Sequence, residues 1–278
     1  MTAQTATVDT SGPVRAMNEN GFCVLRDAIS TELREQVLAA SERLLASDLT
    51  RGRDRGGDGK DGFRGFLQHD VAFLPLLANE RTLPVLVELL SPNIHLLSAH
   101  LIALPSGEPK TIRVPALHGW HRDMYGVTDD LGLADTPRMA IKVAHFVSPL
   151  TPDCGVTMYL PGSHVATEPP RIDPDRIDPP GAVTPDVTGN DVVLFENRTW
   201  HASGINRSGR PRIALMLQYG YRWLQPVDDP YDELRNRPHL GPVERQLLGT
   251  PDRNPDGSLA KGKGAEPLRA WLRDRRGA

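Results

Sequence analysis

Residues 191–221 read DVVLFENRTWHASGINRSGRPRIALMLQYGY, and the reading of this stretch decides the class of fold. Asp191–Phe195 opens as an apolar, β-branched run, the composition of a short buried strand. Asn206-Arg207-Ser208-Gly209-Arg210-Pro211 is a turn signal, because Asn, Gly and Pro suit the dihedral angles of tight reversals. Arg212 then opens a second apolar run, Ile213–Tyr221. The pattern predicts a hairpin that folds Arg212 back beside the segment carrying His201. If that segment is extended, Ser203 shares a face with His201.

Working outward, strand patterns recur at Gly21–Leu25, Ile94–Leu104, Ala140–Val147 and Val156–Leu160, mostly bounded by Pro, Gly, Asn or Asp. The 25 Pro and 25 Gly fit a loop-rich β protein better than a helical bundle. Helical spacing appears after Ser30, a good N-cap, through Leu33, Val37, Leu38, Ser41, Leu44 and Leu45. It returns over Leu74–Leu90, where a break near Pro84 and a stop before Pro92 are expected. These signals predict a mainly β fold with flanking helices, an antiparallel core packed under an N-terminal helical layer. Residues 1–14 read as a disordered lead-in and 15–278 as a single domain. Within it the helices span about 31–90, the β core about 94–225 and a loose tail about 250–278, with a surface helix over Leu268–Arg275.

Net charge is −3 and the isoelectric point about 6.3, which gives no basic field for nucleic acid or anionic membrane. No apolar run is long enough to span a bilayer. Met1–Gly12 lacks the basic and apolar regions of a signal peptide. Cys23 and Cys154 are too far apart for a metal motif and read as free thiols in a reducing cytoplasm.

Trp120-His121-Arg122-Asp123 carries the chemistry. In an extended segment His121 and Asp123 face one way and Arg122 the other. An imidazole beside a carboxylate makes two-thirds of the facial triad that holds non-haem Fe(II) and leaves positions open. His201, shortly after the strand 191–195, is the third candidate. Alone, an H-x-D tripeptide is weak and equally describes a surface turn. The segment that follows His201 strengthens it. A guanidinium at Arg212 can grip a carboxylate bidentately, and the Ser203 hydroxyl can add a hydrogen bond. A dicarboxylate chelating iron at one end and held by Arg212 and Ser203 at the other is 2-oxoglutarate, with O2 as second cosubstrate. Arg207 and Arg210 in the same turn read as surface charges.

At these residues the chain resembles the phytanoyl-CoA dioxygenase-like family of Fe(II)/2-oxoglutarate oxygenases. The matching features are His121-x-Asp123, Asp153–His164 with its Pro161-Gly162-Ser163-His164, Gly189–Phe195, His201-x-Ser203, and Arg212 eleven residues past His201. Pro137-Arg138-Met139 and Gly21–Leu25 are also similar, and the likeness runs from about 17 to 225. The resemblance implies a double-stranded β-helix (jelly roll), His121, Asp123 and His201 as ligands, and Arg212 for the cosubstrate. Cys154 stands where relatives usually carry Asn, and the approach to His121 (Ser106–His118) also departs from the family pattern.

Other residues carry open readings. Lys142, on the strand face opposite Ile141, Val143 and His145, points either into the barrel or to solvent. His118 either lines the pocket or is a solvated loop residue, and His164 is structural by resemblance. Trp120, Tyr125, Trp200 and Trp223 are candidates for an aromatic wall, although core packing explains Trp200 equally well. Two segments, the glycine-rich Arg51–Gly65 and the Pro- and Asp-rich Ala166–Pro185, read as flaps over the site.

The expected activity is hydroxylation or another oxidative tailoring of a small molecule, a bacterial specialised metabolite. The same cofactors also support epimerisation, desaturation or cyclisation. Halogenation is disfavoured because Asp123 occupies the position a halide would need. A metal-dependent hydrolase or isomerase on the same ligand set and a non-catalytic jelly-roll module are the rival classes. A dicarboxylate clamp argues against the first, and a complete ligand set against the second.

Overall fold

The computed structural model describes residues 9–49, 61–107, 119–229, 231–251, 254, 256–258 and 264–276. In chain order the elements are α1 (Ser11–Asn20), β1 (Phe22–Leu25), α2 (Thr31–Leu45), β2 (Asp61–Arg64), α3 (Leu83–Leu89), β3 (Ile94–Leu104), α4 (Tyr125–Leu131), β4 (Ala140–Phe146), β5 (Thr157–Tyr159), β6 (Val192–Glu196), β7 (His201–Ser203), β8 (Arg212–Tyr221), α5 (Asp232–Arg235), α6 (Pro242–Leu247) and α7 (Glu266–Arg276). Six strands form one antiparallel sheet in the order β1-β6-β4-β8-β3-β2, and β5 pairs with β7 in a second, short sheet.

Strand alternation decides what each face of the large sheet meets. Ile141 and Val143 of β4 and Ile213, Leu215, Leu217 and Tyr219 of β8 enter the main core with Met17 of α1, Val37 and Leu44 of α2, Leu86 of α3, Leu247 of α6 and Leu268 of α7. The alternate residues, Ala144 and Phe146 of β4, Val193 and Phe195 of β6, and Ala214 and Met216 of β8, pack instead with Tyr159 of β5. The helices therefore cover the outer face, and the small sheet covers the inner one. Every polar side chain placed on the inner alternation is directed into the space between the sheets.

The helix signals hold at α2, where Ser30 Oγ accepts from Leu33 N at 3.1 Å as the N-cap. Elsewhere the structure corrects the expectation. Residues 11–14, expected to be disordered, form the first turn of α1. That helix ends on Gly21 at φ 81°, where any Cβ would lie 2.4 Å from Thr199 Oγ1. The break expected near Pro84 falls over residues 77–82, and Pro84 sits in the first turn of α3, where its missing N–H has no intrahelical partner to lose. The end of the glycine-rich segment is not a free flap: residues 61–64 are β2, in register with Ala103 through His100 of β3. A Cβ at Gly62 would lie 2.7 Å from His100 Nε2, so the imidazole would have to shift to admit one. Residues 51–60 of that expected flap, and His118, lie outside the described residues.

The predicted hairpin is also corrected. β7 and β8 do not pair; β7 joins β5, while β8 lies between β3 and β4. Asn206 explains the crossing. It is buried, its Nδ2 donates to Leu104 O (2.9 Å) and Arg210 O (2.8 Å), and its backbone bridges Cys154. These bonds pin the turn between the sheets, so Arg212 enters from the sheet opposite the one that carries His201. Among the described residues no helix is long and apolar enough to cross a membrane.

Candidate metal centre

The segment after Gly119 runs alongside β7 and makes one two-residue bridge with it. His121 N donates to His201 O and His201 N to His121 O, both at 3.0 Å. This exchange sets the two imidazoles side by side, with ring centroids 4.3 Å apart. Extended backbone then places Asp123 on the same side as His121. One ligating atom from each of His121, Asp123 and His201 lies within 4.8 Å of the others. The structure thus brings together the three residues that the sequence singled out.

Each ring is held by the carbonyl two residues before it, His121 Nδ1 by Gly119 O and His201 Nδ1 by Thr199 O, both at 2.9 Å. A backbone acceptor on Nδ1 fixes the tautomer and makes Nε2 the ligating nitrogen, the usual support of a metal-bound histidine. Burial, and after it the charge of His121, lower His201 to about 3, so its ring is neutral, as a ligand must be. Burial alone would raise the Asp123 carboxyl. The charges of Lys142, His201 and His121, with a hydrogen bond from Lys142, outweigh it and hold the group well below the ordinary carboxylate range. Both Asp123 oxygens lie 2.7 Å from the Lys142 ammonium, which keeps the carboxylate charged.

Arg212 is 2% exposed, and its Nε and Nη1 have no hydrogen-bond partner. Its guanidinium lies over the Phe146 ring at 5.2 Å. Burial lowers it to about 10, against the opposing influence of Cys154 and Tyr159. The Tyr159 hydroxyl, near enough to feel that charge, is likewise buried, with the Thr157 side chain as its polar neighbour. Unpartnered guanidinium donors this deep are costly unless an anion meets them, so the chemistry of Arg212 fits a carboxylate. Ser203 lies across from Thr157 in the β5–β7 register, and no hydrogen bond joins it to Arg212. A cavity of about 880 Å³ opens over the centre. His121, Asp123, His201, Ser203, Thr157 and Lys142 border it on the inner side.

Of the expected aromatic wall, only Tyr125 borders the cavity. Trp120 and Trp200 are buried behind the metal segment with Ala202, and Trp223 is exposed, stacked on Tyr221. The 166–185 connection is anchored through Val183, which exchanges backbone hydrogen bonds with Tyr159, and through Asp178, which accepts from Trp120 Nε1 at 3.0 Å. His164 is structural, with Nε2 3.1 Å from Asn18 O. Lys142 points into the space between the sheets, toward Asp123. Arg64, His100 and Thr157 also border the cavity and were missed by sequence reasoning; of these only His100 left a signal, a polar residue in the apolar run of β3.

The model of the family described as Phytanoyl-CoA dioxygenase (PhyH) matches residues 17–214. The chain belongs to the phytanoyl-CoA dioxygenase family. Iron(II), with 2-oxoglutarate and O2 as cosubstrates, is the cofactor set of this family, and the donors described above fit it. The chain is 24% identical over 208 residues to the uncharacterized proteins Mb1539 of Mycobacterium bovis and Rv1501 of Mycobacterium tuberculosis, covering 73% of this chain and 72% of each relative. Among solved structures it is similar to SnoN, described as a non-heme alpha ketoglutarate dependent epimerase from nogalamycin biosynthesis. The TM-score is 0.62 at 18% identity, over 84% of this chain and 88% of that one. A second SnoN structure, in complex with Fe3+, alpha ketoglutarate and nogalamycin RO, gives a TM-score of 0.58 at 16% identity, over 92% and 96%.

Proposed function

We propose that this family member is an Fe(II)/2-oxoglutarate-dependent oxygenase acting on a small molecule, with His121, Asp123 and His201 as its metal ligands. The observation that carries the reading is the gathering of those three side chains, their ligating atoms within 4.8 Å, on the wall of a large cavity. We read the two facing sheets as a double-stranded β-helix and residues 15–278 as one catalytic domain of a cytoplasmic enzyme. When bound, the iron and 2-oxoglutarate supply O2 activation and removal of a hydrogen atom from substrate.

The chain's own groups have separate tasks in this account. His121 and His201 present Nε2 because their Nδ1 atoms are taken by carbonyls. Arg212, with the Tyr159 hydroxyl beside it, receives the distal carboxylate of 2-oxoglutarate, and Ser203 adds a hydroxyl at the cavity wall. Phe195 and Met216 give that wall an apolar lining that keeps water from the reacting centre. A hydrolase or isomerase on the same ligands would have no use for a buried, unpartnered guanidinium.

For the substrate, the reading is a bacterial specialised metabolite. Its support is the fold shared with an enzyme of nogalamycin biosynthesis and a cavity that admits a drug-sized molecule. Because that enzyme is described as an epimerase, epimerisation stands beside hydroxylation as the reaction. The test is O2 exposure of protein loaded anaerobically with Fe(II) and 2-oxoglutarate. Succinate forms in wild type and not in His201→Ala; equal succinate from both contradicts the proposal.

A further inference from the structure

Lys142 sits mid-strand in β4, between Phe195 of β6 and Gln218 of β8. A lysine on the inner face of a barrel needs a partner, and this one has found the metal segment. Its Nζ lies 2.7 Å from each Asp123 oxygen, with hydrogen-bond geometry to Oδ1. The ammonium also stands over the Phe195 ring at 5.6 Å, and the Phe195 and His201 rings are 4.7 Å apart. The two side chains of the pair are 19% and 12% exposed, so neither is free to wander. Oδ1 is also 3.9 Å from His201 Nε2, so the ammonium and the imidazole meet the same carboxylate.

We propose that Lys142 is a positioning residue: by pairing with the Asp123 carboxylate it keeps one of the two oxygens occupied, so that Asp123 offers a metal one oxygen instead of two and the position beside it stays open for 2-oxoglutarate. The inference rests on the proposed function above. It has an unusual consequence, because the two effects of the ammonium have opposite signs. A cation beside the carboxylate repels a divalent ion, so Lys142 weakens metal binding. By keeping the carboxylate from closing on the metal through both oxygens, it strengthens cosubstrate binding. A lysine that only filled space or supported the fold would move both affinities the same way.

The experiment uses full-length protein freed of metal, with Mn(II) as the probe, read from the electron paramagnetic resonance signal of the free ion. Binding of 2-oxoglutarate to the Mn(II)-loaded protein is then measured by calorimetry. Lys142→Met is expected to bind Mn(II) about tenfold more tightly than wild type. The same variant is expected to bind 2-oxoglutarate about tenfold more weakly. Lys142→Arg, which keeps charge and donors, should retain the wild-type order of both affinities. Lys142→Gln keeps a donor without the charge; it should move both affinities in the Met direction and serves in its place if the Met variant does not fold. Two results overturn the inference: both affinities unchanged in Lys142→Met, or both falling together. Wild-type protein that binds Mn(II) no better than His201→Ala would sink the proposed function itself, and the inference with it.

Discussion

His121 and His201 exchange both of their backbone hydrogen bonds, at 3.0 Å each way, and each ring is held through Nδ1 by the carbonyl two residues upstream. The arrangement is nearly symmetric, and a backbone carbonyl orients each imidazole. Removing either side chain leaves the bridge that positions the other. His121→Ala and His201→Ala should therefore each lose about 10- to 100-fold or more in Fe(II) affinity while keeping the wild-type melting temperature within a few degrees. Metal content after anaerobic loading, set beside thermal melts, checks this. A His121→Ala protein that loads iron like wild type would remove His121 from the ligand set.

Arg212 gives a second prediction. With Nε and Nη1 buried and unpartnered, its guanidinium awaits an anion. Arg212→Ala should weaken 2-oxoglutarate binding by roughly 2–5 kcal/mol, the range for truncating one side of a buried charge pair. Arg212→Lys should recover little, because an ammonium cannot reproduce a planar fork. Fe(II) binding should be close to normal in both. Calorimetry on the metal-loaded variants measures the loss, and wild-type cosubstrate affinity in Arg212→Ala would place the clamp elsewhere.

His145 predicts an acid sensitivity unrelated to the site. It lies on the face of β4 opposite Lys142, is 0% exposed, and neither ring nitrogen has a hydrogen-bond partner among the described residues. Burial lowers it from the ordinary 6.5 to about 4. A depressed histidine contributes its stability above the unfolded value, and that contribution is lost as pH falls from 6.5 towards about 4. The loss is on the order of 3 kcal/mol. His145→Leu removes the proton-binding difference, so its melting temperature should fall less than that of wild type between pH 7 and pH 4.5. Parallel pH curves for the two proteins would show that His145 is not the group responsible.

Glu196 gives a stability prediction. It is fully buried and paired with Arg138 and with Arg198 Nε (2.6 Å), while Arg138 reaches on to Asn18 of α1 at 2.9 Å. Glu196→Ala leaves cations without their counter-charge next to the metal-bearing layer and should cost roughly 3 kcal/mol. Chemical denaturation gives the number; a loss below about 1 kcal/mol would class the network with surface ion pairs.

The sequence made the metal segment legible for a local reason. In His121-x-Asp123 the spacing alone puts both side chains on one face, whatever surrounds them. The strands were legible because a buried strand needs a dense apolar run, and β3 begins and ends where that run does. What failed was non-local. The link between His201 and Arg212 looked like a hairpin, but Asn206 ties it to Leu104, about a hundred residues away in sequence, and sends the two residues to different sheets. Lys142 was ambiguous because alternation gives a side but not its environment; only the approach of Asp123 from another segment settles where the ammonium goes. Tyr159 drew no notice because a tyrosine in an apolar strand ordinarily signals packing.

On the proposed function, 2-oxoglutarate binding is conditional on a metal: His121, Asp123 and His201 would hold the ion, and Arg212 only the far end of the cosubstrate. The most direct measurement is a calorimetric titration of 2-oxoglutarate into the full-length protein under argon, with and without Mn(II). The account predicts one 2-oxoglutarate bound per chain when Mn(II) is present, at least about tenfold weaker binding when it is absent, and no metal-dependent step in His201→Ala. Equal affinity with and without the ion, or a metal-dependent step that survives in His201→Ala, would contradict it.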